Sequence, residues 1–176
     1  ERKICKRSGG WQDQIISQMG GLVEMKISKK ENIHFKKIKI NSSIKKKFNK
    51  NLLLVYTRVK RNSSKIINSQ KRRANKIIEN YDNIKDLNKK LIFSLKNNDP
   101  NHLAQLFNKH WINKKKLSPE ISSNKINNFY QKLKNKYNFL GGKLIGAGGG
   151  GFFLMIKKDN KKIISKLKRN NIEFIN

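Results

Sequence analysis

Two short stretches of this chain carry residue types that do chemistry. The first is GGKLIGAGGGGFFLMI, residues 141–156, in which Gly146, Ala147, Gly148, Gly149, Gly150 and Gly151 interrupt what otherwise reads as two apolar strands. Glycine weakens a strand and costs backbone entropy. A run of it is tolerated where the chain must pass through positive φ or lie close against another group. Successive exposed N–H groups in such a loop form a concave nest for an anion, phosphate above all. The second stretch is Gly9-Gly10-Trp11-Gln12-Asp13-Gln14, a carboxylate beside a glycine turn at the start of a helix-like segment. An Asp there is ordinarily an N-cap. It is also placed as a general base would be.

The glycine loop admits rival readings. Gly146, Gly148 and Gly151 satisfy the dinucleotide spacing G-x-G-x-x-G, and Glu173 lies at about the separation of a ribose-binding acid. That fingerprint needs a helix to open at its last glycine. Here Gly151 is followed by Phe152–Ile156 and then Lys-Lys-Asp-Asn, a buried strand closed by a turn. No Gly-Lys-Ser/Thr follows, so the P-loop pattern is absent. A ligand-free hairpin needs only one or two glycines. The phosphate nest accounts best for the run.

Bulk composition narrows the partners. The net charge is +31, from 42 Lys and Arg against 11 Asp and Glu. Such a balance suggests nucleic acid or an anionic surface. The lysines, however, are scattered over nearly every element, and Asn and Ile are over-used with them, as a strongly AT-biased coding sequence produces. No basic tail or aromatic–basic stripe is present. No specific nucleic acid is therefore expected, only salt-sensitive binding of polyanions. Cys5 is the one cysteine, which excludes an internal disulfide and fits a reducing compartment. His34, His102 and His110 are not spaced as metal ligands. With no run of membrane-span length and no signal-like segment, a cytoplasmic protein without a membrane partner is expected. The chain opens at Glu1 and runs straight into a motif, so a fragment lacking its upstream half is expected.

The elements that must position these residues follow from periodicity. Residues 2–7 read as a strand or linker, and Trp11–Met19 as a short helix stopped by Gly20-Gly21. Val23, Met25 and Ile27 alternate as a strand, and 33–40 as a second one whose parity shifts midway, at a bulge. Leu52–Tyr56 is a buried strand. Apolar spacing predicts one long or two abutting helices over 63–97. Asp99-Pro100 caps another, carrying Leu103, Leu106, Phe107, His110 and Trp111 on one face. Ser118-Pro119 breaks it, and a helix from about 122 precedes the glycine hairpin. A helix over 160–169 and a strand over 172–175 close the chain. Strands, then helices, then strands and a helix describe an α+β fold with an antiparallel sheet.

Read together, GGWQDQ and GGKLIGAGGGGF resemble the C-terminal half of GHMP-type sugar kinases. Residues 51–70 and 110–122 are similar to segments of D-glycero-D-manno-heptose 7-phosphate kinases, while the GGWQDQ spelling also resembles L-fucose kinases. The resemblance spans essentially the whole chain. It implies a ferredoxin-like antiparallel sheet with packed helices over 51–176, preceded over 1–50 by the remnant of an N-terminal domain that carries the catalytic Asp. It implies an ATP-dependent kinase of the anomeric hydroxyl of heptose 7-phosphate, with a fucose- or galactose-type kinase as the alternative and a basic nucleic-acid-binding module as the rival outside enzymes.

In that family Asp13 would orient the sugar hydroxyl and accept its proton. The N–H groups of Gly146–Gly151 would line the phosphate side of the cleft. Arg61 matches the arginine of a Tyr-Thr-Gly-x-x-Arg pattern and would meet a substrate phosphate, while Arg58 stands where that pattern has glycine, which puts the pocket in question. Trp11 and Gln14 would line the sugar site or pack. Lys114 and Lys115 read as solvated helix surface, and Lys143 either faces phosphate or, more simply, is an edge-strand lysine. ATP and Mg2+ are implied, with the main ATP loop and the magnesium ligands in the absent upstream half. The fragment alone is expected to bind ATP poorly and to turn over hardly at all.

Overall fold

The computed structural model describes residues 12–28, 32–158 and 162–175. Helix α1, Gln12–Met19, stops at Gly20, whose φ of +61° turns the chain while its N–H donates to Ile16 O at 2.8 Å. Strands β1 (Val23–Ile27) and β2 (Ile33–Lys37) form a separate antiparallel pair with Met25 opposite Phe35. The shift of parity expected within 33–40 does not occur. The strand ends at Lys37, and Ile38 N–H donates to Leu22 O as the chain leaves the sheet. Asn41 then caps helix α2, Ser42–Asn51, by accepting from Ser43 N–H at 2.9 Å. Nothing in the sequence patterns signalled α2, which carries only Ile44 and Phe48 on its apolar side.

The remainder is β3 (Leu52–Tyr56), α3 (Ser63–Arg72), α4 (Ile78–Lys96), α5 (Pro100–Lys116), α6 (Asn124–Tyr137), β4 (Phe139–Leu144), β5 (Phe152–Lys157), α7 (Lys162–Arg169) and β6 (Phe174–Ile175). The four-stranded sheet has the order β4-β5-β3-β6, antiparallel throughout. Both β3 and β4 run against β5, so they are parallel to each other with β5 between them. That is a split β-α-β crossover. A second links β5 through α7 to β6, on the far side of β3. The ferredoxin-like arrangement is therefore present.

Helix boundaries obey local chemistry. The run over 63–97 is broken, because a 3₁₀ turn at Ala74–Lys76 separates α3 from α4. Asp99 caps α5 by accepting His102 N–H at 2.9 Å, with Pro100 at the first turn, where its missing N–H costs nothing. Ser118 and a 3₁₀ turn at Pro119–Ile121 end the helical run before α6.

Both faces of the sheet are covered. Leu53, Val55, Phe153 and Met155 face Trp111, Ile126, Tyr130, Leu133 and Leu167. Trp111 is 1% exposed and meets Phe153 edge-on at 5.7 Å. Ile156 on the other side packs with Leu87, Leu91, Leu103 and Phe107, joined by Leu22, Phe48 and Leu52, which ties the N-terminal segment to α4 and α5. Gly141 of β4 explains how closely α5 approaches: a Cβ there would stand 2.5 Å from the Ala104 carbonyl oxygen.

Candidate phosphate-binding site

The site is built around the turn between β4 and β5. Gly146, Gly148, Gly149, Gly150 and Gly151 all have positive φ, from +71° to +145°, which is why the run is glycine. The loop is pressed against its neighbours as well. A Cβ on Gly150 would overlap the Val59 carbonyl oxygen and stand 2.9 Å from its carbon, and one on Gly148 would stand 3.0 Å from Ile121 Cα.

Not all the N–H groups are available to a ligand. Gly149 N–H donates to Ile121 O at 2.8 Å and Gly151 N–H to Val59 O at 3.1 Å. Two of the donors expected to line a phosphate, those of Gly149 and Gly151, thus fasten the loop itself.

The segment after β3 clamps the loop. Thr57 sends both its N–H and its Oγ1 hydroxyl to Gly151 O, each at 2.8 Å. Arg61 lays its guanidinium on Gly146 and Gly151, with Nη1 donating to Ile145 O at 3.2 Å and to Gly150 O at 3.5 Å. The spacing of Thr57 and Arg61 therefore has a physical cause, since both reach one loop across the sheet. Among the described residues no acceptor is found for the Nε–Nη2 edge of Arg61, the edge that grips a phosphate bidentately.

Arg58 does not fill the pocket. It takes φ +55°, the left-handed region that favours glycine, and swings outward. Its Nε pairs with Glu173 Oε1 at 2.9 Å and its Nη2 donates to Asn171 O at 2.9 Å. Glu173 is engaged there, not in a ribose site. Arg58→Ala and Arg58→Gly both lose these partners, so they differ only in backbone freedom. The alanine variant is expected to be less stable than the glycine variant by about 1 kcal/mol, read from denaturant midpoints. Equal midpoints would show that the left-handed geometry is not held.

Sequence reasoning missed the first of the next two residues. Lys114 is not solvated helix surface: its Nζ donates to Leu144 O at 3.0 Å and to Gly146 O at 2.5 Å, at the mouth of the loop. Desolvation, with the nearby charges of Lys143 and Arg61, pushes its pKa down to about 8. Lys143 lies on an edge strand as expected, yet its Nζ rests 5.1 Å over the Phe107 ring, and desolvation lowers it to about 8. His110, one turn before Lys114, is pushed down to about 3 by desolvation and by Lys143 and Lys114. The period-3.6 spacing of Phe107, His110 and Lys114 was a signal for this cluster, read in the sequence only as an apolar face. Lys115 instead sits 5.6 Å over the Trp111 ring and donates to Asn127.

Below the loop, Glu120 accepts from the Ser69 hydroxyl at 2.7 Å and from the Ser118 hydroxyl at 2.5 Å, and these bonds hold its carboxyl down at about 2. This cluster locks the 3₁₀ turn whose Ile121 carbonyl receives the loop.

Asp13 lies in the first turn of α1 with an exposed side chain, and its carbonyl accepts the Ser17 hydroxyl at 2.6 Å. Gln14 is exposed on the same helix. The groups that touch the glycine loop come from the β3–α3 connection, α3, α5 and the 3₁₀ turn. Neither Asp13 nor Gln14 is among them. Trp11, Gly9 and Gly10 lie outside the described residues. Among the described residues there is no group of three His, Cys, Asp or Glu that would hold a metal, and no helix is long and apolar enough to cross a membrane.

Neither a protein-family profile nor a curated protein matches this sequence. Solved structures do match. A D-glycero-D-manno-heptose 1-phosphate kinase from Bacteriodes thetaiotaomicron superposes with a TM-score of 0.72 at 20% identity, over 99% of this chain and 47% of that one. The L. major mevalonate kinase, in complex with R-mevalonate, gives a TM-score of 0.72 at 21% identity over 93% of this chain and 49% of its own. The fold is that of these kinases. Streptococcus pneumoniae phosphomevalonate kinase, in complex with phosphomevalonate and AMPPNP, gives 0.63 at 15% identity over 94% and 46%. This chain thus spans about half the length of the structures it resembles.

Proposed function

We propose that this chain is the C-terminal half of a GHMP-type sugar kinase acting on the anomeric hydroxyl of D-glycero-D-manno-heptose 7-phosphate, in the cytoplasm. Residues 1–50 belong in this reading to the domain that carries the catalytic Asp, and residues 51–176 form the ferredoxin-like domain. The observation that carries it is the glycine loop, strained, close-packed and ringed by Arg61 and Lys114, in a fold shared with small-molecule kinases. The heptose kinase among the similar structures supports the choice of sugar.

The residues present suit phosphate chemistry. Phosphoryl transfer asks chiefly for positioning and for stabilisation of charge on the moving group. ATP, when bound with Mg2+, supplies the transferable phosphoryl group. The unspent loop N–H groups act as fixed dipoles on phosphate oxygens, and Arg61 adds a bidentate donor edge. Asp13 orients the sugar hydroxyl and takes up its proton.

A phosphorylation panel on the complete protein that carries this segment tests the reading. Turnover of heptose 7-phosphate well above that of the unphosphorylated heptose is expected. Efficient turnover of free fucose or galactose would reject the heptose assignment. Failure to phosphorylate any sugar, with tight nucleic-acid binding that survives physiological salt, would replace the kinase reading by the basic-module one.

A further inference from the structure

A cavity of about 390 Å³ lies at the end of the sheet opposite the glycine loop. Strand β5 leaves the loop at Phe152 and reaches the cavity at Lys157. At roughly 3.3 Å per residue the two lie about 17 Å apart. The last two turns of α2 line the cavity with Lys47, Lys50 and Asn51, and the end of β5 lines it with Lys157 and Lys158. The first turn of α5 closes one side. Leu140 of β4 completes the wall, at the point where the register between β4 and β5 shifts. A bulge in such a place bends the strand and re-aims its side chains. Two helices and a bulged hairpin thus converge on one concave space of the size that takes a compact metabolite.

Its charge is one-sided. Four lysines line it, and among the described residues no Asp or Glu does. Compositional drift accounts for lysines on exposed faces, and Lys47, Lys50 and Lys158 are exposed. It does not account for Lys157, which is 8% exposed at the end of the apolar strand FFLMIK. Lysine is almost never buried so far without a partner. No described residue bonds or pairs with its ammonium, which is not itself sealed from solvent and so opens into the cavity. Asn51, also 8% exposed, shows the complementary gap. Its Oδ1 is buried with no hydrogen-bond partner among the described residues. An amide oxygen only accepts, and leaving it unpaired costs stability. An anion that also carries a hydroxyl completes both residues. Its charged oxygens meet the ammonium groups, and its O–H meets Asn51, whose soft χ2 torsion lets the amide turn towards it.

We propose that this cavity binds a compact hydroxylated polyanion, a sugar phosphate or a hydroxy-polycarboxylate, at a site separate from the glycine loop. Bound there, the ligand joins α2 to the end of β5 and ties the N-terminal segment to the four-stranded sheet. Binding at this site does not depend on the kinase reading.

Calorimetry on the 176-residue chain at 150 mM salt and pH 7 tests the site, with glucose 6-phosphate, citrate, inorganic phosphate and glucose as probes. One of the two hydroxylated anions is expected to bind at a single saturable site, more tightly than inorganic phosphate, which is too small to reach Asn51 and the lysines together. Glucose, without charge, is expected not to bind. Lys157→Met fills the same buried space with an unbranched apolar stem. It is expected to weaken binding at least about tenfold, as loss of a charge-assisted contact implies. Should that variant fail to fold, Lys158→Met on the exposed rim decides, with an expected loss of about two- to fivefold. The control is Lys136→Met on the exposed side of α6, which removes the same charge and is expected to leave binding unchanged.

Tighter binding of glucose 6-phosphate assigns the sugar-phosphate class, and tighter binding of citrate the polycarboxylate class. The proposal is overturned if neither anion saturates, or if Lys157→Met and Lys158→Met leave binding unmoved. Equal loss in Lys136→Met also overturns it, since that is diffuse polycation attraction. A protein that phosphorylates no sugar yet binds in this Lys157-dependent way would sink the kinase reading alone.

Discussion

Gly150→Ala is expected to destabilise the chain by about 3–5 kcal/mol, the sum of a left-handed penalty and an overlap that only backbone movement relieves. The φ of +145° is one that L side chains rarely adopt, and the added methyl would meet the carbonyl group of Val59. At about 2–4 °C per kcal/mol for a chain of this size, the melting temperature falls by about 10 °C. Gly20 supplies the control. It also has positive φ, +61°, but open space where a Cβ would go, so Gly20→Ala should cost only the left-handed term, about 1–2 kcal/mol. Two equal melting shifts would mean that the loop does not lie against Val59.

Asp13→Asn, made in the complete protein, is expected to lower turnover by about 10²- to 10⁴-fold, the usual worth of a positioned base. The substitution keeps the shape and hydrogen-bonding reach of the side chain while removing its ability to accept a proton at neutral pH. Asp13 is exposed and pairs with no cation among the described residues, so folding stability should hardly change. Steady-state kinetics decide the matter. A fall in kcat with little change in KM is the expected pattern, and unchanged turnover removes Asp13 from the mechanism.

The parts of the molecule legible in the sequence are those fixed by local rules. Asp99-Pro100 announced a helix start because capping is settled within four residues. Leu52–Tyr56 read as a strand because its neighbours on both faces are apolar. The glycines of 146–151 read as a tight loop because few other residues tolerate such φ values. What stayed hidden depends on distant partners. Nothing in HWINKKKLSP tells which of three lysines turns inward, since the carbonyls that hold Lys114 lie 30 and 32 residues away. Apolar spacing that continues from α3 into α4 allowed either one long helix or two abutting ones, and the 3₁₀ turn at Ala74–Lys76 decides for two. Ile38 and Ile40 suggested more strand than exists, because period two was counted without the Asn41 cap that starts a helix there.

The two connections that lead into β4 and out of it differ in how much change they bear. Seven residues, 145–151, join β4 to β5, and almost every one is fixed by φ, by a carbonyl bond or by a neighbour's van der Waals surface. The crossover from β3 to β4 instead spans residues 57–138 and consists of helices laid over the sheet. Doubling the length of a flexible connection costs only about 0.6 kcal/mol in closure entropy. Insertions at the exposed helix junctions of that crossover are therefore cheap, while a single residue added between the central hairpin's strands is not. Divergence in length among chains with this architecture belongs to the helical layer, and the glycine bend stays constant in size.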